Sequence, residues 1–257
     1  MSTLLVEAPV GRHFAQLHRD AGALGDAASR FVATGLLRGQ HVAVIAAPAQ
    51  LDRFGTLLRA GGLDPANLQQ SGRLELLGTP AVLSRFLSGA MPDRADFRQI
   101  MGDLFARGAA CGASCTRIYG EMSNALWEDG RPKAAIRIEE FWNDLQGSYP
   151  LTLFCGYQVD THCEDCYATP LEEIGRTHSD IIGTHEDDLF GEALDAAGRE
   201  LFGVALSRMA GYTTPGEGAH RFPTGPRTML WVKRHLPSSS GVVLERARRH
   251  YYGEARG

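Results

Sequence analysis

Two uninterrupted apolar runs, His41-Val42-Ala43-Val44-Ile45-Ala46 and Leu151-Thr152-Leu153-Phe154-Cys155-Gly156-Tyr157, constrain the fold most. Neither alternates between polar and apolar residues as a half-exposed strand does. Each therefore reads as a strand covered on both faces, the pattern of a parallel sheet. Three further segments join them as strands: His13 to His18, Arg73 to Leu77 and Thr116 to Gly120. Helical patterns separate the strands. Asp26 is placed to cap a helix over 26–37 that follows a turn over 19–25, and Ala27, Phe31, Val32 and Leu36 fall near helical spacing. Further helices are expected over 48–60, 81–88, 93–108 (capped by Asp93 or Asp96) and 133–145. In the last of these Ala135, Ile138, Phe141, Trp142 and Leu145 form the apolar side. Strands alternating with helices predict an α/β fold: a mostly parallel sheet with helices on both faces.

In such sheets ligands sit beyond the carboxyl ends of the strands. Glu121, Tyr157 and the segment after Tyr157 fall at that edge. After residue 186 the texture changes. Glu186-Asp187-Asp188 is an acidic run, a helix is expected over 189–210, an irregular loop over 211–226 and a closing helix over 238–252. The expected organisation is an α/β domain over 1–185 and a mainly helical extension over 186–257. Residues 227–257 carry seven Lys or Arg against two acids, a charge that suits an acidic partner surface or a helix showing its charge to water.

The net charge of −4 argues against wholesale nucleic-acid binding, and no helix-turn-helix signature stands out. No apolar run approaches the roughly 20 residues that cross a bilayer. The first ten residues lack the basic start, apolar stretch and cleavage site of a signal peptide. The expected compartment is the reducing cytoplasm, where five cysteines are thiols or metal ligands rather than a disulfide framework.

From His13 to about Ile182 the chain resembles the MEDS domain, the sensory domain named for methanogens, methylotrophs and the dichloromethane regulator. The resemblance rests on His13 in the first strand and on residues Phe31 to Gly39 before the second. It continues with Arg117-Ile118-Tyr119-Gly120-Glu121-Met122, Leu126-Trp127, Ile138-Glu139-Glu140-Phe141-Trp142-Asn143, Phe154-Cys155-Gly156-Tyr157 and His178-Ser179. It implies a RecA/KaiC-like core in a sensory or relay module. Its partner would be a small-molecule signal, or a regulatory protein such as a histidine kinase or transcription regulator, with self-association left open. The turn Arg19-Asp20-Ala21-Gly22-Ala23-Leu24-Gly25 lacks the GxxxxGK-S/T phosphate loop, so ATP hydrolysis by the usual route is not expected.

His13, Arg117, Glu121, Tyr157 and His178 match family positions and are the expected ligand-binding set, with Arg117 holding an anion or orienting Glu121. The bland alternative is a structural ion pair with satisfied core histidines. Glu139 and Asn143 are four apart on one helix and share a face, either toward a ligand or as part of a helix locked down by Trp142. His162-Cys163-Glu164-Asp165-Cys166 holds a CxxC with a preceding His. With Cys155 upstream, His162, Cys163 and Cys166 form a candidate site for zinc or another thiolate-bound metal, or Cys163 and Cys166 a redox pair. The leading expectation is a non-enzymatic signalling regulator. The alternatives are a metal- or redox-responsive switch at Cys163/Cys166, and a hydrolase or transferase using Glu121 and His178 as acid and base.

Overall fold

The computed structural model describes residues 4–19, 21–167, 170–212 and 221–254. The chain divides into two compact units, Met1–Gln158 and Val159–Gly257. The first contains, in order, α1 (Leu4–Glu7), β1 (His13–His18), α2 (Ala21–Leu37), β2 (His41–Ala46), α3 (Pro48–Ala60), α4 (Pro65–Gln70), β3 (Leu74–Gly78), α5 (Thr79–Leu83), β4 (Leu87–Ser88), β5 (Met91–Pro92), α6 (Arg94–Ala110), β6 (Thr116–Gly120), α7 (Met122–Glu128), α8 (Pro132–Gln146) and β7 (Leu151–Gln158). The second contains α9 (Pro170–Thr177), β8 (Asp180–Ile182), α10 (His185–Phe202), α11 (Leu206–Tyr212), α12 (Thr224–His235) and α13 (Ser240–Glu254).

The five long strands of the first unit are all parallel, in the order β3-β2-β6-β7-β1. The expected parallel α/β sheet is therefore present, followed by a mainly helical C-terminal part. From β2 the chain steps outward to β3, whereas from β6 it steps toward β7 and β1. The order reverses between β2 and β6, the place where ligand crevices open in sheets of this kind.

Register sorts the side chains onto two faces, because successive residues of a strand point to opposite sides. Phe14 pairs with Phe154 and Tyr119 with Phe154, so these three share one face. There Phe14 stacks on Phe154 with ring centroids 5.0 Å apart, and Phe31 of α2 meets both edge-on at 5.6 and 5.5 Å. Phe54 of α3 packs on Tyr119 at 5.3 Å. The opposite face carries His13, Cys155, Tyr157, His41 and Glu75, and it is covered by α6 and α8. Gly108 of α6 lies so close to His41 that a Cβ would approach Nδ1 to 2.6 Å.

Several boundaries differ from the sequence reading. Helix α2 begins at Ala21, not Asp26, and absorbs the expected turn. Asp26 is instead an exposed mid-helix residue 3.7 Å from Arg53, whose guanidinium also lies over Gly25. The expected helix over 81–88 is the short α5 followed by the two-residue strands β4 and β5. Asp93 caps α6 through Oδ1, which accepts from Ala95 N at 2.8 Å and Asp96 N at 2.9 Å.

In the second unit the acidic run lies in the first turn of α10, where Thr184 and Asp187 form a capping box. Gly203, at φ 74°, ends α10, so the expected helix over 189–210 is two helices. The expected loop over 211–226 ends earlier, since α12 starts at Thr224, and its residues 213–220 lie outside the described residues. Part of the basic tail is paired: Lys233 meets Glu164, Arg246 and His250 meet Glu200, and Arg249 meets Glu245. Among the described residues, no helix is long and apolar enough to cross a membrane.

Candidate functional site

The site is built where α8 lies on the sheet. The amphipathic period of α8 turns Ala135, Ile138, Phe141, Trp142 and Leu145 inward, and Glu139 falls inside that stripe at 2% exposure. A carboxylate that deep needs partners. Tyr157 OH donates to its Oε1, while His13 Nε2 lies 3.1 Å and Cys155 Sγ 3.8 Å from its Oε2. The His13 Nε2–Cys155 Sγ distance is 3.4 Å. One turn along α8, Asn143 Oδ1 accepts from His13 Nδ1 at 2.8 Å. That bond places a proton on Nδ1 and leaves Nε2 facing the carboxylate and the thiol. Burial pushes the Cys155 thiol and the Tyr157 phenol well above their ordinary values, and the Glu139 charge beside them pushes the same way.

A narrow crevice reaches this cluster from the carboxyl ends of β6 and β7. Gly120, Met122, Ser123, Asn124, Glu139, Trp142, Cys155, Gly156 and Tyr157 line it. Gly120 pairs with Cys155 in register and is buried, yet a Cβ added to it would meet nothing within 4 Å. There is open space at Gly120, on the sheet face that carries Cys155.

Glu121 follows immediately, between β6 and α7. Its Oε1 accepts from Tyr119 OH at 2.7 Å and its Oε2 from Ala47 N at 3.3 Å, just beyond the end of β2. It thus bridges the point where strand order reverses. Burial raises its pKa above the ordinary value, and these two hydrogen bonds only partly offset the shift. Gly156 makes room for the pair, since a Cβ there would lie 2.6 Å from Tyr119 OH.

The structure brings His13 and Tyr157 together through Glu139, but Arg117 is placed apart from them. Arg117 is the second residue of β6, four residues before Glu121. A strand rises about 3.3 Å per residue, so the two lie at opposite ends of it. Arg117 is fully buried and its guanidinium donates to Gln40 Oε1, Phe31 O and Val6 O. It also sits 4.8 Å over the Phe31 ring, and Gly35 clears its path, since a Cβ there would lie 2.8 Å from Arg117 Cδ. Arg117 therefore stitches α1 and α2 to the sheet and does not orient Glu121. His178 belongs to the second unit, where its Nδ1 lies 2.8 Å from Ile174 O and 3.1 Å from Thr177 Oγ1.

The expected metal set of Cys155, His162, Cys163 and Cys166 also divides. Cys155 lies in β7, with His13 and Glu139. Among the described residues, His162, Cys163 and Cys166 belong to no group of three metal-competent side chains. His162 is an aromatic core residue of the second unit, stacked on Phe190 at 4.0 Å and edge-on to Tyr251 at 4.4 Å. Cys166 Sγ donates to Cys163 O at 3.1 Å, and burial raises its pKa far above the ordinary value. All five cysteines are free thiols.

With the geometry in view, the family follows. The model of the MEDS family, described as the methanogen/methylotroph, DcmR sensory domain, matches residues 12–179. The chain belongs to the MEDS family. A search of curated proteins finds no match. The MEDS match starts beside His13 and covers β1 through α9, so every member of the α8 cluster lies within it. It also crosses the division between the two units at Gln158, so family extent and compactness mark different boundaries.

Glu139 and Asn143 are the site residues that a motif reading undervalues. The signal for Glu139 is a charge inside an apolar stripe, four residues after Ala135 and three before Trp142. Nothing in the sequence pairs it with a cysteine sixteen residues later; the strand register does that.

Proposed function

We propose that this MEDS chain is a non-enzymatic sensory module that takes its input at the crevice where β6 and β7 end. One observation carries the reading: buried polar side chains from β1, β7 and α8 converge beneath a crevice open at the carboxyl edge of the sheet. The crevice has no room for a water-sized sphere. Small-molecule pockets usually run from about 300 to 1,000 Å³. The space therefore favours a single bound ion over a nucleotide, in keeping with the missing phosphate loop of a RecA/KaiC-like core. The output would pass to a regulatory protein such as a histidine kinase or a transcription regulator. Five free thiols suit the reducing cytoplasm.

The other readings have weaker support. For an acid–base pair of Glu121 and His178, Glu121 is already held by Tyr119 and Ala47. For a redox pair, burial raises the Cys166 pKa, which disfavours that thiol as the attacking thiolate.

The test is a thermal-shift panel of divalent metal salts, nucleotides and small carboxylic acids, run on the parent and on Gly120→Leu. The leucine side chain enters the open space at Gly120 and blocks the crevice. The reading expects at least one additive to stabilise the parent and not the variant. A panel in which no additive separates the two chains contradicts it.

A further inference from the structure

The geometry points to a mononuclear site for a divalent transition-metal ion of the zinc class, with His13 Nε2, Glu139 Oε2 and Cys155 Sγ as ligands. This deepens the proposed crevice reading and rests on it. The three donor atoms come from β1, α8 and β7 and form a triangle with edges of 3.1 Å (N to O), 3.4 Å (N to S) and 3.8 Å (S to O). An ion at about 2.05 Å from nitrogen, 2.1 Å from oxygen and 2.3 Å from sulfur, with tetrahedral angles, sets these edges at about 3.4, 3.6 and 3.6 Å. Each edge agrees to within about 0.3 Å. A mixed N, O and S donor set suits a borderline ion such as Zn²⁺ rather than Mg²⁺ or Ca²⁺, which take oxygen ligands.

Two independent features support a ligand site over a bare hydrogen-bond network. First, the donors are oriented from behind. Asn143 accepts from Nδ1 of His13 and fixes the tautomer that presents Nε2, and Tyr157 holds the second oxygen of Glu139. Metal-bound histidines and carboxylates are held by outer partners of this kind. Second, there is a way in. The crevice lining includes Glu139 and Cys155, and Gly120, the register partner of Cys155, leaves open space at the crevice. Proton balance is simple. Binding releases to solvent the Cys155 proton and the proton shared by His13 Nε2 and Glu139 Oε2, leaving thiolate, carboxylate and the Nε2 lone pair as donors. The remaining position on the ion would be filled by water, a signal molecule or a further side chain.

The test uses the full chain, stripped with a chelator and titrated with Co²⁺, whose thiolate charge-transfer absorption reports a Co–S bond. The expected result is about one equivalent bound with that absorption present. It should persist in Cys163→Ser and Cys166→Ser, disappear in Cys155→Ser, and be at least 10-fold harder to saturate in His13→Gln. Should Cys155→Ser fail to fold, Asn143→Ala carries the test. It leaves all three ligands in place and is expected to weaken Co²⁺ binding about 10- to 100-fold. The assignment is overturned if the folded parent takes up neither Co²⁺ nor Zn²⁺, if the absorption survives Cys155→Ser, or if Asn143→Ala binds like the parent. Absence of metal together with a surviving additive response at the crevice overturns the assignment alone. Absence of both overturns the crevice reading with it.

Discussion

The two faces of the first unit's sheet are equally buried and differently made. On the α2/α3 face, Phe14, Phe31, Phe154, Tyr119 and Phe54 fill the space with rings, and the one buried cation, Arg117, is held by Gln40 Oε1, two backbone carbonyls and an aromatic face. On the α6/α8 face two polar clusters are buried. In the first, Glu75 binds His41 and the half-exposed guanidinium of Arg107, a permanent charge. In the second, Glu139 faces an imidazole, a thiol and a phenol, groups that gain or lose protons or bind metal. Glu75 has a permanent charge, Arg107, among its partners, and Glu139 has none among the partners named above. The cluster under α8 is made of side chains whose state can respond, which supports the proposed input site.

The largest expected effect lies on the ring-filled face. Phe154→Ala removes the ring that Phe14, Phe31 and Tyr119 all touch, and should destabilise the chain by about 3–5 kcal/mol in urea melts. A loss under about 1 kcal/mol would mean that the face is not the packing core described. Next, Arg117→Leu leaves two buried carbonyls without their donor and should cost about 2–3 kcal/mol. Co²⁺ uptake should be unchanged. Altered uptake would couple the two faces and blur the distinction between them.

On the α8 face the effect depends on metal. At Zn²⁺ concentrations about 100 times the dissociation constant, the parent should gain about 2.7 kcal/mol over the chelated chain, and Cys155→Ser should gain nothing. Equal gains in both chains would move the metal elsewhere. The smallest effect concerns pH. Burial pushes Glu75 up, but hydrogen bonds from His41 and Arg107 with the guanidinium charge outweigh it, so its pKa lies below the ordinary 4.5. A lowered carboxylate stabilises the fold above its unfolded-state value, and that contribution is lost as pH falls through the folded-state value. The parent should therefore lose up to about 1 kcal/mol below pH 4.5 that Glu75→Gln does not lose. Parallel acid profiles would remove Glu75 as a charge-paired contrast to Glu139.

How far the sequence discloses this arrangement follows from the range of each signal. Unbroken apolar runs in β2 and β7 announce parallel strands, and Asp93 announces the start of α6, because period and caps are local. The start of α2 is hidden because the alanines before Asp26 continue a helix as readily as the glycines interrupt one. His13 and Tyr157 are legible as site residues through the family pattern. Arg117 and Glu121 look like partners because they are close in sequence, yet a strand holds residues four apart at its two ends. The grouping of Cys155 with Cys163 and Cys166 follows the same short-range logic. Pairing His13 with Cys155 requires the register of two strands more than 130 residues apart in sequence, which no local pattern carries.

The most direct test of the α8 cluster is X-ray absorption at the zinc edge on the full chain loaded with one equivalent of Zn²⁺. The account predicts one sulfur at about 2.3 Å, with the remaining ligands nitrogen or oxygen at about 2.0–2.2 Å. A shell without sulfur, or one with two sulfurs as a Cys163/Cys166 site would give, would contradict it.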